Sequence, residues 1–126
     1  ALLVTTPQTV ARADAARAAS MLRELEIPVL GHVENMSGAV CPHCQAEVPL
    51  FPEPVQDLAG QLGAPLLGRI PFDSRIASSG DLGAPLVIAH ADSPASAVFR
   101  DIAHGLIESG AAVGRTYSSV MEQEGV

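Results

Sequence analysis

Met21-Leu22-Arg23-Glu24-Leu25-Glu26-Ile27-Pro28-Val29-Leu30-Gly31 and Leu58-Ala59-Gly60-Gln61-Leu62-Gly63-Ala64-Pro65-Leu66-Leu67-Gly68 are two copies of one pattern. Each runs from an amphipathic helical stretch through a short break to a proline, an apolar run and a glycine. An amphipathic stretch buries one stripe against a neighbour, whereas a short run that is apolar at every position is buried on both faces. Their alternation reads as βαβ units with right-handed crossovers, and therefore as an α/β fold with a parallel sheet and flanking helices. The spacing predicts strands at Leu2 to Thr5, Val29 to Val33 and Leu66 to Ile70. A fourth apolar run, Leu86 to Ala89, reads as an edge strand or an extended segment.

The helices follow from their punctuation. Thr6 is a candidate N-cap with Pro7 at the first helical position, where its missing N–H costs nothing, and the helix is predicted to continue to about Leu25. Asp14 and Arg17 stand three apart on it and can pair at the surface. Val55 to Leu62 reads as a second helix. The last is predicted from a Ser93 cap and Pro94 to a stop at Gly110, with Phe99, Ile102, Ala103, Leu106 and Ile107 as its buried stripe. Residues 111–126 show no sustained period and read as a mobile tail.

A chain of 126 residues has room for one domain, and such a domain buries roughly two-thirds of its unfolded surface. Apolar residues make up 48% and aromatics only 3%, so the interior must be built from Ala, Val, Leu and Ile. A net charge of −7, with no basic stripe or aromatic platform, argues against nucleic acid. No apolar run approaches the roughly 18 residues that span a bilayer, which argues against a membrane role. With no basic, apolar leader before the first strand, the expected compartment is a reducing cytosol. Opening directly on Ala1-Leu2-Leu3-Val4 without an initiator Met, the chain reads as a fragment of something longer.

Chemistry concentrates in the segment from Met36 to Pro54, which shows neither helical nor strand period and is expected to be a long functional loop. It holds both cysteines, as Cys41-Pro42-His43-Cys44. Two thiolates are half of what a tetrahedral zinc ion or an iron–sulfur cluster requires. The remaining ligands could come from His32, His43 or an acidic neighbour. They could equally come from a second copy, since a self-complementary interface turns a two-cysteine loop into a four-cysteine site. A dithiol redox pair is a further reading, but that chemistry needs the first cysteine at a helix N-terminus, and Pro49 would stop any such helix at once. Two cysteines that merely pack is the plain alternative.

The neighbours of the cysteines carry a resemblance. Val4-Thr5-Thr6-Pro7-Gln8, then Pro28-Val29-Leu30-Gly31 with Val33-Glu34-Asn35-Met36-Ser37, then Cys41-Pro42-His43-Cys44, then Gly63-Ala64-Pro65-Leu66-Leu67-Gly68 with Ile70-Pro71-Phe72-Asp73, and finally Asp92-Ser93-Pro94 resemble, in order and spacing, the Mrp/ApbC family of deviant-Walker P-loop ATPases. These are iron–sulfur cluster carriers. Over residues 1–109 the resemblance implies the C-terminal half of a Rossmann-like P-loop NTPase domain, with the cysteine loop at 36–54. It further implies a homodimer that bridges a labile [4Fe–4S] cluster through Cys41 and Cys44, binds ATP with Mg in the complete protein, and passes the cluster to apo iron–sulfur proteins. Asn35 would hydrogen-bond the adenine base, and the Pro71-Phe72-Asp73 turn would border it, beyond the carboxyl ends of the strands. Without the resemblance, Asn35 reads as a strand-end Asx turn.

Two departures qualify it. The glycine-rich phosphate loop and the acidic magnesium and switch segments are absent from this stretch, so the chain is not expected to hydrolyse ATP alone and no catalytic residue is assigned. After Leu50-Phe51 the chain has Pro52-Glu53-Pro54 where the family has a Gly-rich turn. The competing class is a truncated, non-enzymatic paralogue that binds zinc or a partner protein through the cysteine loop.

Overall fold

The computed structural model describes residues 1–52 and 57–109. The elements are β1 (Leu2–Thr5), α1 (Thr9–Glu24), β2 (Gly31–Val40), β3 (Glu47–Val48), α2 (Leu58–Leu62), β4 (Leu66–Phe72), α3 (Ser74–Asp81), α4 (Leu86–Ala89) and α5 (Pro94–Glu108). β2 is central, with β1 and β4 parallel to it on either side, while the short β3 pairs antiparallel with its far end. The expected parallel sheet is present, with one antiparallel addition that carries the cysteines.

Helices cover both faces. On one, Leu3 meets Ala15 and Ala19 of α1, Leu58 and Leu62 of α2, and Ala64. On the other, Val33 and Ile70 meet Leu86, Ala95 and Ile102. The glycine that closes each repeat of the Pro–apolar–Gly pattern is there for close approach. A Cβ on Gly31 would lie 2.5 Å from Leu67, and one on Gly68 would lie 2.8 Å from Ile102, so α5 sits down on β4 only because Gly68 has no side chain.

Several expectations are corrected. α1 starts at Thr9 rather than after Thr6: Pro7 is buried, and the first helical carbonyl is that of Gln8, accepting from Arg12 N–H at 3.0 Å. The Asp14–Arg17 pair forms as expected. Leu86–Ala89 is a helical turn, not a strand, because the N–H groups of Ile88 and Ala89 return to the Pro85 carbonyl at 2.9 and 3.0 Å. A four-residue apolar run lacks the length to tell the two apart. α5 has the predicted Ser93 cap, accepting from Ser96 N–H at 3.1 Å, and the predicted Pro94 start. Its inward stripe is Ala95, Val98, Ile102 and Leu106, whereas Phe99, Ala103 and Ile107 are exposed. α3 was not anticipated. α2 is described from its Asp57 cap onward. The predicted helix start at Val55, part of the Pro52-Glu53-Pro54 connection, the Gly110 stop and the tail at 111–126 lie outside the described residues.

Candidate functional site

Within the segment expected to be a long loop, residues 36–48 belong to a β-hairpin. β2 does not end near Val33 but continues to Val40, where Ala39 and Val40 pair with Val48 and Glu47. Cys41 follows directly. Its N–H donates to the Ala46 carbonyl and its own carbonyl accepts from Gln45 N–H, both at 2.9 Å, closing a tight turn around Pro42, His43 and Cys44. Gln45 takes the left-handed conformation (φ 60°) that the reversal requires.

The turn has an electrostatic consequence. The backbone N–H groups of Cys44 and then His43 point at the Cys41 sulfur, and the Cys44 side chain hydrogen-bonds to it as well, so the Cys41 thiol is held below its ordinary range. Cys41 is half-buried and Cys44 exposed. Two adjacent sulfurs, one with its thiol made more acidic by N–H groups and the pair open to an incoming partner, suit a soft metal centre. They supply two ligands only. Among the described residues no group of three or more His, Cys, Asp or Glu converges to hold a metal ion. His32, one possible ligand, is buried with its Nδ1 3.1 Å from the Ala64 carbonyl, so it does not complete the shell. No helix starts at Cys41, so the arrangement that activates a thioredoxin-type cysteine is missing.

Asn35 lies within β2 at the last position where the strand keeps regular parallel pairing, opposite Ile70. Its Oδ1 accepts from Met36 N–H at 3.0 Å, a contact to the next residue rather than the i to i+2 bond of an Asx turn. Asn35, Thr5 and Thr6 line an open cavity of about 430 Å³ at the carboxyl end of β1 and beside the middle of β2, walled by Leu3, Val4 and α1. Pro71 stands one strand over, on β4. Asp73 caps α3, accepting Arg75 N–H at 3.0 Å and gripping the Arg75 guanidinium at 2.6 to 3.1 Å, and that side-chain contact holds its carboxyl below the usual carboxylate range. Asn35 and Pro71 flank the same register step of β2 and β4, but neither Pro71 nor Asp73 lines the cavity beside Asn35, and the Asp73 carboxylate is already committed to Arg75. Arg75 carried no sequence signal beyond proximity. Nor did Ser37 and Gln45, whose importance lies in the backbone they hold.

A three-stranded parallel core with helices on both faces defines an α/β protein of Rossmann-like architecture. The fold agrees: the cell-division ATPase MinD of Pyrococcus furiosus superposes with a TM-score of 0.66 at 23% identity, covering 85% of this chain and 41% of that one. The model of the ParA family described as NUBPL iron-transfer P-loop NTPase matches residues 1–107, and this chain belongs to that family. Similar proteins include an iron–sulfur cluster carrier protein of Pyrococcus abyssi, 41% identical over 108 residues that make up 85% of this chain and 36% of the relative. A nucleotide-binding protein of Archaeoglobus fulgidus, solved in complex with ADP, superposes with a TM-score of 0.54 at 34% identity over 65% of this chain and 34% of its own. The chain spans about a third of the length of the curated relatives it matches. Among the described residues no helix is long and apolar enough to cross a membrane.

Proposed function

We propose that this chain is the cluster-holding part of an iron–sulfur carrier. Two copies each present Cys41 and Cys44 and hold a [4Fe–4S] cluster between them as cargo, for delivery to apo iron–sulfur proteins in a reducing cytosol. The observation that carries this reading is the cysteine turn: it presents two adjacent sulfurs, one cradled by N–H groups, with no third ligand converging among the described residues. A half shell of this kind is completed by another molecule, and an isologous contact brings the same half shell again. The names of the similar proteins support the cargo, since several are iron–sulfur cluster carrier or transfer proteins.

A nucleotide role is assigned to the Asn35 end in the same reading. The cavity beside Asn35 is apolar on most of its walls, suited to a base, and the family resemblance assigns the Pro71-Phe72-Asp73 turn to the border of that base. The sequence contains no lysine, so the phosphate-binding lysine and the magnesium ligands of an ATPase would come from residues other than these. Hydrolysis is therefore not assigned to this stretch.

Anaerobic reconstitution with iron and sulfide tests the cargo. The expected result is a broad visible absorption band and about four irons per dimer, lost in Cys41→Ser and in Cys44→Ser. Absence of iron uptake, or uptake unaffected by Cys41→Ser, overturns the assignment. Tight zinc retention without iron uptake would replace it with the zinc-binding reading.

A further inference from the structure

β2 and β4 fall out of step between the two candidate sites. Asn35 pairs with Ile70, and the next paired positions are Ala39 and Phe72. Three residues of β2, Met36-Ser37-Gly38, therefore face one residue of β4, Pro71. Proline has no N–H to give a neighbouring strand, and strand prolines are found at edges and bulges for that reason. The consequence here is a wide bulge. Met36 takes a left-handed backbone (φ 54°), a conformation that costs a non-glycine residue energy and persists only where the surroundings impose it.

Side chains repair the interrupted ladder. The Asn35 Oδ1 takes the Met36 N–H at 3.0 Å, and the Ser37 hydroxyl reaches across to donate to the Ile70 carbonyl at 3.2 Å. Gly38 then lets the chain pass under β3, since a Cβ there would lie 3.1 Å from the Val48 carbonyl oxygen. Beyond the bulge, hairpin pairing leads straight to Cys41. The Ser37–Ile70 bond is thus a side-chain tie between the parallel sheet and the hairpin that carries the cysteines, set within the bulge and followed by the backbone pairing of Ala39 with Phe72.

We infer that Ser37 is a positioning residue for the cysteine pair: its hydroxyl pins the β2 bulge to β4 and so fixes the hairpin on which Cys41 and Cys44 stand. The inference rests on the cysteine pair being the ligand set of the proposed function, but it concerns the geometry of the metal-free protein. Without the pin, the left-handed residue and the three-against-one register are held only by the Ala39–Phe72 pairing beyond the bulge, so the hairpin gains freedom about that point and the preset arrangement of the two sulfurs loosens. Threonine keeps the hydroxyl; alanine removes it.

The test compares wild type, Ser37→Ala and Ser37→Thr in the whole metal-free chain. Hydrogen exchange at the Cys41 and Gln45 amides reads the hairpin. Binding of phenylarsine oxide, whose arsenic bridges two neighbouring thiols with release of water, reads the preset spacing of the sulfurs in a single chain. Loss of one hydrogen bond corresponds to about fivefold to tenfold faster exchange at these amides in Ser37→Ala. Arsenical affinity is expected to weaken by a similar factor, exchange in α1 and α5 to stay unchanged, and Ser37→Thr to restore both readouts. Wild-type behaviour of Ser37→Ala in both overturns the inference, as does faster exchange throughout the molecule, which would make Ser37 a general stabiliser. None of these readouts requires iron, so failed iron uptake with a positive result here would sink the carrier reading alone.

Discussion

At the scale of single residues, the molecule prepares Cys41 for ionisation by geometry. A thiol made more acidic by folding stabilises the fold above the pH at which the unfolded thiol ionises, and that contribution drains away as the pH falls through the folded value. Cys41 is held low first by the Cys44 N–H, then by the His43 N–H and the Cys44 side chain. The pH midpoint for its alkylation, resolved by peptide mass spectrometry, should therefore lie lower in the folded chain than in urea. Equal midpoints would mean the N–H groups do not reach the sulfur in solution. Asp73 behaves similarly through a different partner. Its carboxylate caps α3 and is gripped by Arg75, so Asp73→Ala should cost about 1 to 2 kcal/mol in urea unfolding at neutral pH. The gap between variant and wild type should close as acid protonates the carboxylate through its lowered folded pKa. The sequence shows Cys41, Cys44, Asn35 and Asp73 as chemically able residues. It does not show their partners, because Arg75 and the two N–H groups become neighbours only through backbone turns.

Among the elements, what was legible divides by how each is stabilised. β1, the apolar part of β4 and the Ser93-Pro94 start of α5 could be read because local composition and capping chemistry decide them. The distal half of β2 could not. Glu34, Asn35 and Gly38 are poor strand formers, and β2 runs on through them because β4 pairs with Glu34 and Asn35 and, past the bulge at Met36-Ser37-Gly38, β4 and β3 take up Ala39 and Val40, a tertiary effect that overrides propensity. The stripe of α5 was displaced for a related reason: the opening at Gly68 receives Ile102, and Ala95, Val98 and Leu106 follow it inward while Phe99 and Ile107 turn out. Filling Gly68 is accordingly expected to be severe. Gly68→Val would drive a side chain into Ile102 and Val98, and overpacking of that kind costs about 1 to 3 kcal/mol or more. Calorimetry should show a lowered melting temperature for Gly68→Val, and a partner change of Ile102→Ala should recover part of the loss. Independent, additive effects of the two would mean that α5 does not rest on Gly68.

For the molecule as a whole, a ligand shell divided between two chains makes cargo retention a matter of mass action. A cluster held by Cys41 and Cys44 from each of two copies should be lost when dilution separates the copies, whereas a site closed within one chain would lose its metal only by dissociation of the metal itself, with no dependence on chain–chain association. Charge adds a second, independent handle. Each copy carries a net charge of −7, so bringing two together works against long-range repulsion that reaches about 30 Å at roughly 10 mM salt but only about 8 Å near 150 mM. The proposed dimer of the iron-loaded protein should therefore tighten as salt is raised across that range, and iron should survive greater dilution at the higher salt. Anaerobic sedimentation of the loaded chain, with Cys41→Ser as the control that stays monomeric at both salts, measures the effect. A dimer that loosens with salt would mean that opposite charges across the contact hold the copies together, and the bridging sulfurs would no longer be needed to explain why they meet.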